Sequence, residues 1–168
     1  MSMNDVSSNQ ENQTELGGRY LCFTLGKEKF AIPLLQVKEV LGTVETTAIP
    51  QAPPHFKGIM NLRGQVISVI DLRLKLKLGK PEAHSETTFI ILDFAPLSLG
   101  VIVDSVDSVV AIEGKDISRT PDVESNVKTE FIQGVARSEK ALTLILDLKL
   151  ALNADDYKIL KEQNNKAA

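Results

Sequence analysis

The sequence is poor in the side chains from which reactive and metal-binding sites are built. Its 168 residues contain one cysteine, Cys22, and two histidines, His55 and His84. One cysteine cannot form an internal disulfide, and neither histidine has a further ligand residue at metal-binding spacing, so both are expected to be solvated loop residues. The motifs of serine hydrolases, zinc proteases, P-loop enzymes and dinucleotide-binding enzymes are absent. We therefore predict no catalytic residue, metal or cofactor, and we expect Cys22 to be a half-buried strand residue in a reducing compartment.

Aromatic residues and excess positive charge are scarce as well. Aromatic residues make up 5% of the chain, tryptophan is lacking, and 19 basic side chains are outnumbered by 22 acidic ones. A nucleic-acid partner is not expected, because such proteins need cations for phosphates and rings for base stacking. No apolar run approaches the roughly 20 residues that span a bilayer, and the first residues are polar. Neither direct membrane insertion nor a secretory signal is predicted.

The two ends of the chain differ in composition from the middle. Residues 1–17 are mostly Asn, Gln, Ser and Glu, which predicts a disordered N-terminal tail. An ordered domain is predicted over residues 18–152. The segment 153–168 predicts a short helix, Ala154 to Gln163, capped by Asn153 or Asp155, and then a frayed end.

The middle of the chain has the alternating pattern of short β-strands. Apolar residues alternate over residues 21–25 and again over residues 30–34, with a polar turn between the two stretches. This spacing predicts a hairpin with one apolar face. A third strand is predicted over residues 66–72, after a proline-rich loop.

An internal repeat is the most informative feature of the sequence. Residues 20–40 align without a gap with residues 89–109, an offset of 69, and the alternating apolar positions at 21, 23, 25, 30, 32, 34, 37 and 40 all meet apolar residues. Residues 58–72 align with residues 134–148 at an offset of 76, with matching pairs at both ends. The offset changes in the loop between the two blocks, where insertions are tolerated. One β-unit therefore occurs twice.

The size of the repeated unit bears on the fold. The copies span about residues 19–83 and 87–152, and a unit of about 60 residues has only a marginal core of its own. We expect the copies to support each other, packed side by side or exchanging a strand. Closure into barrels would remove exposed sheet edges. The predicted fold is all-β, with two small five-stranded barrels in tandem and a short C-terminal helix.

Asp71 and Asp147 occupy equivalent positions of the two copies. A pair of carboxylates can serve as acid and base in an enzyme. Recurrence at the same place in both copies favours a structural task instead, namely accepting hydrogen bonds from turn amides.

The loop Asn61-Leu62-Arg63-Gly64 lies where a hairpin turn is expected, and Gly64 is free to adopt positive φ. The second copy has Arg137-Ser138-Glu139-Lys140 in that place. Two interpretations fit these residues. The loop is either a solvated turn, or a recognition loop in which Arg63 offers several donors to a partner's carboxylate or carbonyl group.

The segment around this loop resembles a known family. Residues 58–73 closely resemble the signature of CheW-like domains, through the NLRG core at residues 61–64 and the VIDLR stretch at residues 69–73. One departure is Ser68, where the family usually has proline. Residues 30–33 and 37–40 resemble the elements that precede the signature, and the similarity extends from Arg19 to Leu152.

The resemblance implies two intertwined five-stranded barrels, described as SH3-like or OB-like. It further implies a non-catalytic cytoplasmic adaptor, recruited to membrane-associated arrays, that couples the cytoplasmic tip of methyl-accepting chemoreceptors to the regulatory domain of the histidine kinase CheA. We expect a groove between the barrels to take the receptor tip. A length of 168 residues leaves no room for a kinase or receiver module and favours the stand-alone adaptor.

The family positions implicated in partner binding can be carried over one by one. Val37 and Val109 also fit an ordinary core role, and Gly58 also fits a purely turn-shaping role. Three alternative functions remain: a coupling protein of a non-chemotaxis receptor–kinase pathway, an OB-like nucleic-acid binder and a small enzyme. The implied partner-binding residues are Val37, Glu39, Gly58, Asn61, Arg63, Gly64 and Val109.

Overall fold

The computed structural model describes residues 16–78, 87–119, 131–137 and 142–166, and of residues 164–166 it describes the backbone only. These residues form short β-strands and three helices, and 3₁₀ turns occur at Leu34–Gln36 and Gly114–Asp116. The strands are β1 (Gly18–Leu25), β2 (Glu28–Pro33), β3 (Val37–Leu41), β4 (Phe56–Leu62), β5 (Gln65–Asp71), β6 (Thr88–Phe94), β7 (Leu97–Val103), β8 (Ser105–Ile112), β9 (Ile117–Ser118), β10 (Ile132–Arg137) and β11 (Leu142–Leu146). The helices are α1 (Leu72–Lys75), α2 (Leu148–Ala151) and α3 (Ala154–Lys166).

The same order of elements occurs twice along the chain. Strands β1, β2 and β3 correspond to β6, β7 and β8, and the unit β4-β5-α1 corresponds to β10-β11-α2. Helices α1 and α2 start and end at residues that differ by the predicted offset of 76. The predicted all-β fold with two small β-domains and a C-terminal helix is confirmed.

The two repeats exchange a whole hairpin. One sheet has the order β3-β6-β7-β5-β4, so the hairpin β6–β7 of the second repeat lies among strands of the first repeat. The other sheet has the order β8-β1-β2-β11-β10-β9 and takes the hairpin β1–β2 from the first repeat. Each foreign hairpin joins its host sheet through a parallel pairing, of β7 with β5 and of β2 with β11. The second sheet also has the two-residue strand β9, where the first sheet has a single bridge between Thr47 and Ile59.

Each sheet wraps around a small core of its own. All five strands of the first sheet contribute side chains to one apolar cluster, and all six strands of the second sheet contribute to another. A sheet whose strands all share one core is strongly curved, as in a small barrel. We call them the first and the second barrel. The first core contains Leu41, Met60, Leu62, Ile67, Val69, Phe89, Ile91 and Ile102; the second contains Leu16, Tyr20, Ala31, Ile112, Ile117, Ala136 and Ile145.

A third and larger core lies between the barrels. Because side chains alternate along a strand, the exchanged hairpins send every other residue into this central core. Phe23 and Phe30 are fully buried there, with ring centroids 5.9 Å apart. Burying a side chain of this kind contributes roughly 2 kcal/mol. The exchanged hairpins are thus apolar on both faces, which explains why they occupy the middle of each sheet.

The two ends of the domain extend beyond the predicted limits. Residues 1–15 of the predicted tail lie outside the described residues, but Leu16 is buried and its carbonyl accepts a hydrogen bond from the Tyr20 hydroxyl. The packed chain therefore begins before residue 18, because Leu16 has an apolar site in the second barrel. Helix α3 continues to Lys166, three residues beyond the predicted end at Gln163. Among the described residues, no helix is long and apolar enough to cross a membrane.

Candidate partner-binding site

A tight turn forms the tip of the β4–β5 hairpin. Leu62 pairs with Gln65, which leaves Arg63 and Gly64 as the two central residues, with φ of 52° and 85°. Positive φ at both central residues is the requirement of a type I′ hairpin turn. The Asn61 side-chain oxygen accepts a hydrogen bond from the Gly64 amide at 2.9 Å. The turn therefore has a defined conformation that directs the Arg63 side chain.

Arg63 forms a two-pronged ion pair with Glu39. The guanidinium donates from Nη1 to Oε2 at 2.9 Å and from Nη2 to Oε1 at 2.7 Å. Glu39 lies on β3 and Arg63 follows β4, and these strands are the two ends of the first sheet. The pair therefore joins the ends of the curved sheet.

Both partners of this ion pair are charged at neutral pH. The hydrogen bond from Arg63, aided by its charge, outweighs the effect of burial and holds the pKa of Glu39 below its usual value. Glu39 in turn raises the pKa of Arg63. The Arg63 side chain is 73% exposed, and a guanidinium has five N–H donors, of which Glu39 takes two. Donors remain at the surface for a partner's carboxylate or carbonyl group.

Gly58 lies inside the first barrel, away from the solvent. It has a φ of 140°, and a Cβ added there would lie 2.1 Å from the carbonyl oxygen of Thr47. The segment containing Thr47 is held against β4 by two backbone hydrogen bonds of 2.8 Å with Ile59. The structure supports the shaping role of Gly58, since the residue lets this segment approach the strand.

The two valines lie in different environments. Val37 is half-buried at the start of β3 and packs against the central core, two residues before Glu39. Val109 lies on β8 in the second sheet and is 50% exposed, as is its repeat equivalent Val40 at 42%. The structure thus brings Glu39, Asn61, Arg63 and Gly64 together, with Val37 two residues before Glu39 on β3, and it places Val109 on the other sheet.

Three further polar residues form hydrogen bonds beside the chain segments that carry the ion pair. Lys38 Nζ donates to the Ser98 hydroxyl at 2.8 Å, and the Gln65 amide donates to the same oxygen at 3.4 Å. Lys38 and Gln65 are direct neighbours of Glu39 and Gly64 in the chain. Ser98 comes from β7 of the second repeat, so only the hairpin exchange brings it here. No sequence pattern could have indicated it.

The other candidate reactive groups are engaged in structural contacts. Burial and the charge of Asp107 raise the pKa of the Cys22 thiol, although Lys29 lowers it, so the thiol stays protonated and a poor nucleophile. The prediction of a solvated His55 is wrong: its Nε2 lies 2.6 Å from Asp156 Oδ1, because helix α3 covers it. His84 lies outside the described residues. Within those residues, no group of three potential ligands could hold a metal ion.

An apolar surface occurs where the chain crosses between the barrels. The turn Leu34–Gln36 connects β2 of the second barrel to β3 of the first, and Leu35 at its centre is 98% exposed. Leu34 and Val37 flank it and pack partly against the central core. The central core occupies the space between the barrels, and the groove for a receptor tip stays a prediction. We call Leu34, Leu35 and Val37 the junction surface.

Comparisons with known proteins agree with this architecture. The chain matches the family model described as CheW-like domain over residues 19–156. It is 29% identical over 145 residues to the chemotaxis protein CheW of Klebsiella aerogenes, covering 86% of this chain and 87% of that protein. It is 32% identical over 130 residues to the chemotaxis protein CheW of Treponema pallidum, covering 75% and 76%. The crystal structure of the scaffolding protein TtCheW from Thermoanaerobacter tengcongensis superposes with a TM-score of 0.75 at 30% identity, covering 84% of this chain and 96% of that one.

Proposed function

Because this chain belongs to the CheW-like domain family, we propose that it is a non-catalytic adaptor that couples methyl-accepting chemoreceptors to the histidine kinase CheA. The observation that carries the proposal is the Arg63 turn. An exposed arginine whose conformation is fixed by a tight turn and by Glu39 is the kind of group that contributes strongly to protein interfaces. The adaptor would work in the cytoplasm, recruited to membrane-associated receptor arrays.

The chemistry of the described residues supports an adaptor more than an enzyme. The Cys22 thiol is kept protonated, and His55 is occupied by a buried carboxylate. Asp71 and Asp147 occupy equivalent positions of the two repeats, and each carboxylate accepts hydrogen bonds from the amides of the helix that follows it. These groups therefore stabilise the fold, which fits a protein that acts by binding other proteins.

The proposal assigns a separate surface to each partner, the chemoreceptor and CheA. The junction surface, with Leu35 fully exposed, fits the apolar face of a receptor helix. The Arg63 turn and its neighbours on the first barrel fit the similar twin-barrel domain that the family resemblance implies for CheA. Contacts of this kind are small, below about 1,200 Å² each. In an array, many linked contacts would supply the strength that one contact lacks.

Reconstitution tests the coupling role directly. Receptor-bearing membranes and CheA are mixed with and without the purified protein, and kinase autophosphorylation is followed as receptor ligand is added. We expect ligand control of the kinase only when the protein is present. Ligand-independent kinase activity at saturating protein would reject the coupling role.

The first prediction concerns Arg63. The Arg63→Ala substitution should weaken co-sedimentation with receptor membranes and CheA by about tenfold or more, because a surface-directed donor group is lost. The circular dichroism spectrum should stay unchanged. Lys115→Ala is the matched control, since it removes an equally exposed cation, paired with Glu113, from the second barrel. Equal binding by the Arg63 variant and the control would remove the turn from the site.

A further inference from the structure

A buried cluster of charges lies at the base of the β4–β5 hairpin, at the opposite end from Arg63. The Asp156 side chain is fully buried and lies 2.6 Å from Nζ of Lys75 and 2.6 Å from Nε2 of His55. It also accepts the backbone amide of Asn153 at 3.0 Å. Burial by itself raises the pKa of Asp156, but the hydrogen bonds from Lys75, Asn153 and His55 outweigh it, and the net pKa lies below the usual value. The carboxylate is therefore charged at neutral pH.

The members of this cluster come from the two ends of one hairpin. His55 directly precedes β4, and Lys75 ends the helix α1 that directly follows β5. The Asp71 amide donates to the His55 carbonyl at 2.8 Å, which closes the base of the hairpin. Asp156 belongs to helix α3, which follows the second repeat. A single carboxylate thus connects the C-terminal helix to both ends of the hairpin.

The second repeat provides an internal comparison. The same backbone bond closes the base of the β10–β11 hairpin, from the Asp147 amide to the Phe131 carbonyl at 3.0 Å. At the offset of 76, however, His55 corresponds to Phe131 and Lys75 corresponds to Ala151. Neither of those side chains can donate to a carboxylate. The charged contact is therefore specific to the hairpin that presents Arg63.

Strand β4 depends on such contacts because it is an end strand. It pairs with β5 on one side, and its other side has the single bridge between Thr47 and Ile59. The ion pair of Arg63 and Glu39 holds the tip, and the cluster around Asp156 holds the base. A seven-residue strand is about 23 Å long, so a tilt of about 5° at the base moves the tip by about 2 Å. A displacement of this size is enough to weaken a contact that depends on hydrogen-bond geometry.

We propose that Asp156 is a positioning residue, through which the C-terminal helix fixes the base of the β4–β5 hairpin and so sets the position of Arg63 towards its partner. This inference rests on the proposed partner-binding role of Arg63. Asp156 itself is buried and touches no partner, so its influence passes through Lys75 and His55.

Hydrogen exchange on the isolated protein tests the first half of the inference. In Asp156→Asn, the amides of β4 and β5 should exchange about tenfold faster, whereas those of β10 and β11 should keep their wild-type rates. Asp155→Asn is the matched control, since Asp155 is the exposed neighbour on the same helix. An equal rise in both hairpins would mean that Asp156 acts on overall stability, and it would overturn the proposal.

A double-mutant cycle tests the second half. Asp156→Asn should weaken binding to CheA and receptor membranes by about tenfold in the wild-type background and by about twofold or less in the Arg63→Ala background. Equal losses in both backgrounds would show that Asp156 does not act through Arg63, and would reject the inference. If the wild-type protein binds neither partner, the proposed function fails, and the exchange comparison alone decides whether Asp156 holds the hairpin.

A second pair of variants covers the case in which Asp156→Asn does not fold. His55→Ala removes a donor at the base of β4, and His55→Gln retains a side-chain amide in its place. Exchange in β4 and β5 should rise in His55→Ala and return towards wild type in His55→Gln. The same exchange rates in both variants would contradict the proposal.

Discussion

Gly58 and Gly64 lie on one hairpin but meet different steric demands. Gly64 takes a φ of 85° in the open turn, with no atom within 4 Å of an added Cβ. Gly58 takes a φ of 140° beneath the Thr47 segment, where an added Cβ would lie 2.1 Å from a backbone oxygen and 2.6 Å from a backbone carbon. A backbone contact of this kind cannot be relieved by rotating a side chain. Gly58 is therefore required for the packing of the barrel, and Gly64 for the backbone conformation of the turn.

The stability of two alanine variants should separate these demands. Gly58→Ala should lower the free energy of unfolding by about 3 kcal/mol or more, because the segment containing Thr47 must move. Gly64→Ala should cost about 1 kcal/mol, from its positive φ alone. Urea denaturation measures both, and Gly42→Ala is the control because its added Cβ meets open space. A wild-type midpoint for Gly58→Ala would contradict the close approach of Thr47.

Helices α1 and α2 are each four residues long, too short to be stable by themselves. Each begins at an aspartate that caps it. Asp71 accepts the amides of Arg73 and Leu74, and Asp147 accepts those of Lys149 and Leu150. This confirms that the recurrence of aspartate in both copies serves turn amides. At the scale of the element, the caps direct the chain out of β5 and β11 and back over the central core.

Removing either cap should destabilise the protein by a similar mechanism. Asp71→Ala and Asp147→Ala should each lower the free energy of unfolding by about 1–2 kcal/mol. Asp71 should give the larger loss of stability. It is only 4% exposed, so water cannot replace its carboxylate as the hydrogen-bond acceptor for the two amides. Asp71→Asn keeps a side-chain oxygen acceptor and should recover most of the loss in urea denaturation. Equal losses for the Ala and Asn variants would argue against capping.

The exchange of hairpins makes one cooperative unit of two barrels. Each barrel contains strands from both repeats, and the central core is built by the two exchanged hairpins together. Helix α3 adds a further connection, since it follows the second repeat and joins its Asp156 to Lys75 of the first. At the scale of the whole molecule, neither repeat has a complete sheet of its own.

A divided chain should show this dependence. Fragments 1–82 and 83–168 should each lack a cooperative thermal transition, because each retains an incomplete sheet with an exposed core face. Mixing them in equal amounts should restore the β-sheet circular dichroism spectrum and one transition. The intact chain, measured under the same conditions, is the control. A cooperative transition in either fragment as a monomer would mean that a repeat folds independently.

Features that depend on local spacing could be predicted from the amino-acid sequence alone. Period-two alternation predicted the hairpins, and the constant offsets predicted the duplicated unit with aspartates Asp71 and Asp147 at equivalent ends. The helix cap was predicted at Asn153 or Asp155, and the structure has it at Asn153, whose side chain accepts the Asp156 amide at 2.8 Å. These features were readable because neighbouring residues impose them: an alternating strand must have an apolar face, and a polar side chain before a helix satisfies the amides next to it.

The placement of each hairpin in a particular barrel becomes visible only in the folded protein. An alternating hairpin would satisfy its local pattern in either sheet. The two placements are distinguished by the strands on its two sides, through the antiparallel pairings of β6 with β3 and of β1 with β8 and the parallel pairings of β7 with β5 and of β2 with β11. The ion pair of Arg63 and Glu39 spans 24 residues, and the contact of His55 with Asp156 spans 101. Contacts at such separations depend on the curvature of a sheet and on the docking of a helix, and neither leaves a periodic signal in the chain.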